Sequence, residues 1–408
     1  MLLGTGMRRL AVMVLVLAAP AALAAPAAAY DEAALKRKIA AEMSRAGSAS
    51  GAYVSDAASG RALYELRARR RRIPASVQKL YTTSTALLTL GPATTLATTA
   101  VTAGTVDLAG VLHGNLVLVG RGDPFFGAGG AARIAQAVRS AGITRIEGAV
   151  VGDESWFDGR RAGGLHGYDG YLGGVLSGLA YDRGIFRGRA QLAAGRFAAR
   201  RFAALLRLQG IRSTKRSRAG TAPAGAARIA GWRSASMAAL SRLTNVPSNN
   251  FAAGMLLKGL GARYRAKGST RAGASVARQT LAGLGVHPRI ADGSGLSRAN
   301  RTSPRQVVRM LERVRADAAA GPALRASLAV AGRTGTVAGR MRGTRAAGRC
   351  NVKTGTLSNV SALAGYCRAR DGRDIAFALL MNRVSPPGAR AIQDRIAVAI
   401  ARLDQAAG

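Results

Sequence analysis

Apolar positions along this chain change their spacing several times, and each change marks an element. Residues 31–45 read as a charged, alanine-rich helix. Ala52-Tyr53-Val54 and Ala62-Leu63-Tyr64 are short strand-like runs with Ser59-Gly60 between them, which predicts a hairpin. A helix is predicted from Pro74-Ala75-Ser76 through Leu80, Leu87 and Leu90, with Gly91-Pro92 as its stop. From about 94 to 230 the texture differs. Strand-like segments such as 114–119 and 148–151 alternate with glycine-rich turns and with two predicted helices, 131–141 and 197–209. From Trp232 the pattern turns helical again, with helices expected at 251–260 and 306–319. Strands are expected around 349–356, 360–368 and 375–381, and an amphipathic helix at 389–403 closes the chain. The middle stretch reads as a unit inserted into the first. No fixed repeat is present.

Composition adds two facts to this picture. The chain has 408 residues, enough for more than one packed unit, and a net charge of +40. Only seven lysines occur among the 60 basic residues, so arginine carries the charge, spread along the whole chain. Such a field attracts anionic partners. Nucleic acid is disfavoured, because aromatics are 5% and no zinc-finger, RNP-like or basic-zipper pattern occurs. An anionic cell-wall polymer or membrane surface suits the same charge. The N-terminus reads as an export signal over residues 1–29. Arg8 and Arg9 precede an apolar run from Leu10 to Ala19, and small-x-small cleavage sites follow at Ala22-Leu23-Ala24 and Ala27-Ala28-Ala29. An uncleaved anchor is the alternative. His113, His166 and His287 lie far apart and Cys350 and Cys367 form no metal-ligand spacing, so neither a metal site nor a cofactor is expected.

Three short motifs carry the candidate chemistry. Ser76-Val77-Gln78-Lys79 lies at a predicted helix start, Ser248-Asn249-Asn250 just before another helix, and Lys353-Thr354-Gly355 on a predicted strand. A serine hydroxyl needs a base within hydrogen-bond reach. Three residues along a helix is nearly one turn, so Lys79 can stand beside Ser76. A free lysine is charged near neutrality; burial and a second cation, for which Lys353 is the candidate, lower its pKa. Ser248 can relay a proton and Asn250 can hold a substrate amide. Lys353 and Thr354 offer a cation and a hydroxyl to a terminal carboxylate. The backbone N–H groups of Ser76 and Thr356 can hold a developing oxyanion.

In this order the motifs resemble the S-x-x-K, S-x-N and K-T-G set of penicillin-binding proteins and serine β-lactamases. Further segments sharpen the resemblance: Gly114–Gly120 with Gly122-Asp123-Pro124, Gly152-Asp153 with Phe157-Asp158, Asp292–Arg298, and 353–366 reading KTGTLSNVSALAGY. These are similar to the D-alanyl-D-alanine carboxypeptidase/endopeptidases of peptidase family S13, and the likeness spans about residues 31–405. It implies an α+β fold: a transpeptidase/β-lactamase-like domain, an antiparallel sheet flanked by helices, with an inserted, mostly β accessory domain. The transpeptidase-like parts would be 31–90 and 231–408, with the insertion at 91–230. It implies acyl transfer on peptidoglycan stem peptides, acylation by β-lactam antibiotics, and a place in the cell envelope. Asp153 matches an acidic residue that approaches the peptide's diamino-acid side chain. Leu179–Gly184 stands where a longer β region is expected, so the accessory region is shortened. The competing readings are a β-lactamase or esterase of the same fold and a non-catalytic wall-binding protein. Intact Ser76, Lys79, Ser248 and Lys353 argue against the last.

Cys350 and Cys367 flank the predicted hairpin. A turn centred on Ser358-Asn359 brings them opposite each other, where Cβ atoms stand about 4.5–5.5 Å apart and a disulfide can form. A register shift of one residue would send them to opposite faces and leave two buried thiols.

Overall fold

The computed structural model describes residues 30–163 and 167–405; the leader-like segment 1–29 lies outside them. Its centre is a six-stranded antiparallel sheet in the order Ala329–Val330, Cys350–Leu357, Val360–Arg368, Asp374–Asn382, Gly51–Asp56 and Ala62–Leu66. The inner strands Val360–Arg368 and Asp374–Asn382 are buried almost end to end. Both their faces are covered, and that is why they read as continuous apolar runs rather than alternating ones. One face carries the helices Glu32–Ser44 and Pro386–Ala401, whose Leu35, Ile39, Ile396 and Ile400 pack on Val54, Leu363 and Leu379. The other carries a helical layer, where Leu80, Tyr81, Leu257, Val307 and Leu311 meet Ala364, Tyr366, Ala376 and Ala378. The two cores together hold a sheet whose strands come from both ends of the chain.

The segment between the first two motifs builds its own sheets. A five-stranded sheet runs Arg218–Ala219, Val150–Asp153, Leu116–Gly120, Ala97–Thr102, Ala227–Arg233, and a smaller four-stranded one lies beside it. Helices Ala128–Ser140 and Ala194–Leu208 pack on them through Ile134, Val138, Phe202 and Leu206. The strand Ala227–Arg233 replaces the start of the helical stretch expected at Trp232. Its partner, Ala97–Thr102, lies far back in the sequence, where a local pattern cannot reveal it. At Leu179–Gly184 the chain makes a tight turn, with Asp182 and Arg183 in the left-handed region, before a two-residue hairpin.

The inserted unit is fastened to the helical layer. Phe157, Leu172 and Leu176 pack against Phe251 and Met255 of the helix Asn250–Arg265. Fully buried Lys258 of that helix donates to Asp158 Oδ1 at 2.6 Å and to Arg160 O at 2.9 Å. Among the described residues no helix is long and apolar enough to cross a membrane. In the hairpin 350–368, Cys350 faces Cys367 and the two are joined by a disulfide, with Cα atoms 4.0 Å apart.

Candidate active site

Ser76 sits on a short 3-10 turn, Ala75–Val77, that leads into the helix Gln78–Leu90. Ala75 adopts φ +47°, an uncommon conformation for a residue with a β-carbon. It is held there by contacts on two sides. A β-carbon on Gly355 would fall 2.7 Å from Pro74 O and 3.0 Å from Ser76 N, so the Lys353-Thr354-Gly355 strand lies directly against the turn. Gly295, at φ +90°, closes from the other side. These two glycines are small because backbone meets backbone there.

Lys79, one turn along, is fully buried, and its Nζ lies 2.9 Å from Ser76 Oγ, 2.7 Å from Asn250 Oδ1 and 2.6 Å from Ser294 O. All three neighbours are uncharged. Burial pushes its pKa down to about 7, with the Asp292 carboxylate acting in the opposite direction. Ser248 stands at φ +60° on the turn between helices Met237–Asn245 and Asn250–Arg265. Its Oγ accepts from Lys353 Nζ at 2.8 Å, and Lys353 also donates to Thr354 O at 2.9 Å. Burial, aided by the nearby Lys79 charge, drives the Lys353 pKa well down. Asn249 caps the second helix by accepting from Ala252 N at 3.0 Å, which leaves Asn250 on the first turn facing Lys79.

The third motif presents an open edge. The strand Ala329–Val330 pairs with Asn351 and Val352, and among the described residues no strand pairs with this edge from Lys353 onward. Thr354 Oγ1 lies 2.8 Å from Thr336 Oγ1, and the exposed Thr356 accepts from Arg390 Nη2 at 3.3 Å. The structure thus brings Ser76, Lys79 and Asn250 together around one ammonium, and Ser248 and Lys353 into a second pair at the same place.

Asp153, expected to approach the peptide's diamino-acid side chain, makes its contacts to backbone. It is 3% exposed, and its two carboxylate oxygens accept from Ser155 N and Ala222 N, each at 2.8 Å. It ties the end of a strand to a following loop. Its GlyAsp setting looks the same in sequence whether the carboxylate faces solvent or its own backbone.

Several neighbours were not legible beforehand. Ser294 accepts from Lys79 through its carbonyl, a contact no side-chain motif advertises. Tyr171, from the inserted unit, accepts from Asn250 Nδ2 at 2.7 Å through its own carbonyl, and its side chain is 84% exposed. A cavity of about 440 Å³ opens between Asp169 and Leu172 of that unit and the loop Asp292–Ser297.

Known proteins resemble this chain along most of its length. Residues 32–171 and 176–403 match the D-Ala-D-Ala carboxypeptidase 3 (S13) family. The chain is 30% identical over 442 residues to a D-alanyl-D-alanine carboxypeptidase of Actinomadura sp., covering 87% of this chain and 81% of that one. It is 29% identical over 376 residues to carboxypeptidase DacB of Mycolicibacterium smegmatis, covering 85% and 79%. Among solved structures, penicillin-binding protein 4 of Haemophilus influenzae has the same fold, with a TM-score of 0.77 at 20% identity over 88% of this chain and 97% of that one. A peptidoglycan endopeptidase of Bdellovibrio bacteriovorus is similar at a TM-score of 0.56 and 18% identity, covering 82% and 86%.

Proposed function

The chain belongs to the S13 family of D-Ala-D-Ala carboxypeptidases, and from that premise we propose that Ser76 is the nucleophile, with Lys79 as its base, in acyl transfer from peptidoglycan stem peptides. The observation that carries this is the 2.9 Å contact between Ser76 Oγ and a fully buried lysine. A lysine with its pKa near 7 is neutral in a useful fraction of molecules at neutral pH.

Neutral Lys79 takes the Ser76 hydroxyl proton as Oγ attacks the carbonyl carbon between the two D-alanines. The oxyanion is received by the N–H groups of Ser76 and Thr356, a role supported by the unpaired edge and by the approach of Gly355 to Ser76. Ser248, held by Lys353, relays the proton from the Lys79 ammonium to the leaving nitrogen. The C–N bond breaks and D-alanine departs, leaving Ser76 esterified. Water then adds to the ester, giving a proton back through Lys79, and frees Ser76. Asn250 keeps one amide hydrogen for the substrate once the other is donated to Tyr171 O. A D-Ala–diamino-acid cross-link fits the same sequence of steps, so endopeptidase work is a variant of one chemistry.

A penicillin adduct should be long-lived. Asp292 is the carboxylate whose charge reaches Lys79. Its oxygens are occupied by Gly295 N, Ser297 N, Asn300 Nδ2 and the Ser294 hydroxyl. It is poorly placed to drive water onto the ester, which weighs against a β-lactamase. Work on stem peptides puts the enzyme in the cell envelope. The leader-like segment supports export, and the +40 charge supports contact with anionic wall polymers.

Intact mass after incubation with benzylpenicillin tests the assignment. The expected result is one adduct on Ser76 and none on Ser76→Ala; an adduct that persists in the variant overturns it.

A further inference from the structure

A D-Ala-D-Ala terminus ends in a carboxylate, and under the acyl-transfer reading that carboxylate lies along the edge from Lys353 to Thr356. The groups on that edge differ in how free they are. Lys353 Nζ is fully buried and already donates to Ser248 Oγ and Thr354 O. The Thr354 hydroxyl is paired with that of Thr336. Thr356 is exposed, and because its Oγ1 accepts from Arg390, its own hydrogen is available to a ligand.

Arg390 projects from the helix Pro386–Ala401 and is exposed. One turn further along stands Asp394, the acid that would ordinarily neutralise it at i+4. That acid is taken by another arginine. Arg340 donates to Asp394 through Nε at 3.0 Å and Nη2 at 2.7 Å, and its Nη2 also reaches Arg390 O at 3.4 Å. Among the described residues Arg390 has no carboxylate partner. A guanidinium has five N–H donors in a fixed fork that matches a carboxylate, and a single contact to Thr356 uses one of them.

We propose that Arg390, together with the Thr356 hydroxyl, binds the terminal carboxylate of the substrate and sets the preference for peptides with a free C-terminus. Lys353 then serves chiefly the proton relay through Ser248, while the charge that reads the carboxylate comes from the far helix. This assignment rests on the acyl-transfer reading and adds a specificity residue to it.

The test compares two stem peptides ending in D-Ala-D-Ala, one with a free carboxylate and one with a C-terminal amide, by kcat/KM for release of the last residue. Arg390→Ala should lose about tenfold or more on the free acid, a loss of the size expected for a charge-assisted hydrogen bond, and little on the amide. Arg390→Lys should fall between, because it keeps the charge and loses the fork. As a second measurement that needs no turnover, acylation by benzylpenicillin should slow in Arg390→Ala while acylation by its methyl ester does not. Equal loss on acid and amide, or a wild type indifferent to the carboxylate, overturns the role of Arg390. Turnover that persists in Ser76→Ala overturns the acyl-transfer reading instead, so the two failures are told apart.

Discussion

Gly295 lies against the backbone that carries Ser76: a β-carbon added to Gly295 would stand 1.9 Å from Ala75 O and 3.0 Å from Ser76 N. The Asp292–Arg298 loop therefore does two things at once. It offers the Ser294 carbonyl to Lys79 and it lies against the turn that carries Ser76, opposite Gly355. Gly295→Ala meets a backbone atom that cannot swing aside, at a φ that disfavours any β-carbon. The expected outcome is loss of penicillin acylation by about a hundredfold or more, as for a misplaced reacting group. Gly339→Ala, with open space around it, is the control and should acylate normally. Comparable rates in the two variants would show that the turn does not depend on this contact.

The rate of acylation should rise with pH and then level off. Lys79 must be neutral to accept the serine proton, and its pKa is lowered to about 7 by burial. Below that value the acylation rate constant should fall about tenfold per pH unit; a flat profile from pH 5 to pH 9 would exclude Lys79 as the base.

The same burial affects stability. Between about pH 7 and the ordinary lysine range near 10.4, the unfolded chain holds a proton at this position that the folded chain lacks. Stability from Lys79 therefore increases as pH rises through that window and is diminished below it. Lys79→Met should look relatively more stable against wild type at pH 7 than at pH 10, read from urea unfolding at both.

Asp153→Ala should destabilise without changing substrate choice. The N–H groups of exposed Ser155 and half-buried Ala222 lose the carboxylate that ties the strand end to its loops, which costs about 1–2 kcal/mol. Urea unfolding should report that loss while the relative rates on peptides with different diamino-acid side chains stay unchanged. A shift in those relative rates at unaltered stability would restore Asp153 to the substrate site.

Unreduced, denatured protein should show no free thiol, because Cys350 and Cys367 are bonded. Replacing both with alanine reopens a loop with a sequence separation of 17, a loss of about 2–4 kcal/mol on the chain-entropy account. Unfolding of the double variant measures it, and an unchanged midpoint would mean the hairpin register is held by its neighbours alone.

The parts of the site legible in the sequence are those fixed by local rules. Ser76 and Lys79 are one helical turn apart, so their meeting follows from spacing. The hairpin 350–368 is compact enough that a turn at Ser358-Asn359 determines which residues face each other. The illegible parts are carried by backbone or by distant pairing. Ser294 and Tyr171 act through carbonyls, which any residue possesses. Arg390 is one arginine among many until Arg340 is seen to occupy Asp394. The pairing of Ala97–Thr102 with Ala227–Arg233 spans the whole inserted unit, and no periodicity within either strand reveals its partner.

The central sheet also governs when the serine can become reactive during synthesis. Gly51 pairs with Leu380, so the sheet beneath Ser76 cannot close until nearly the last strand has left the ribosome. The strands between Ala97 and Arg233, by contrast, pair only with one another, so their sheets can condense before the helix Asn250–Arg265 that fastens the unit is made. Ser76 and Lys79 are translated near the beginning yet lack the Ser294 carbonyl and the Gly355 backbone until the chain is almost complete. Truncated chains and ribosome-bound fragments thus carry Ser76 and Lys79 without these neighbours, and should stay silent toward β-lactams and peptides alike.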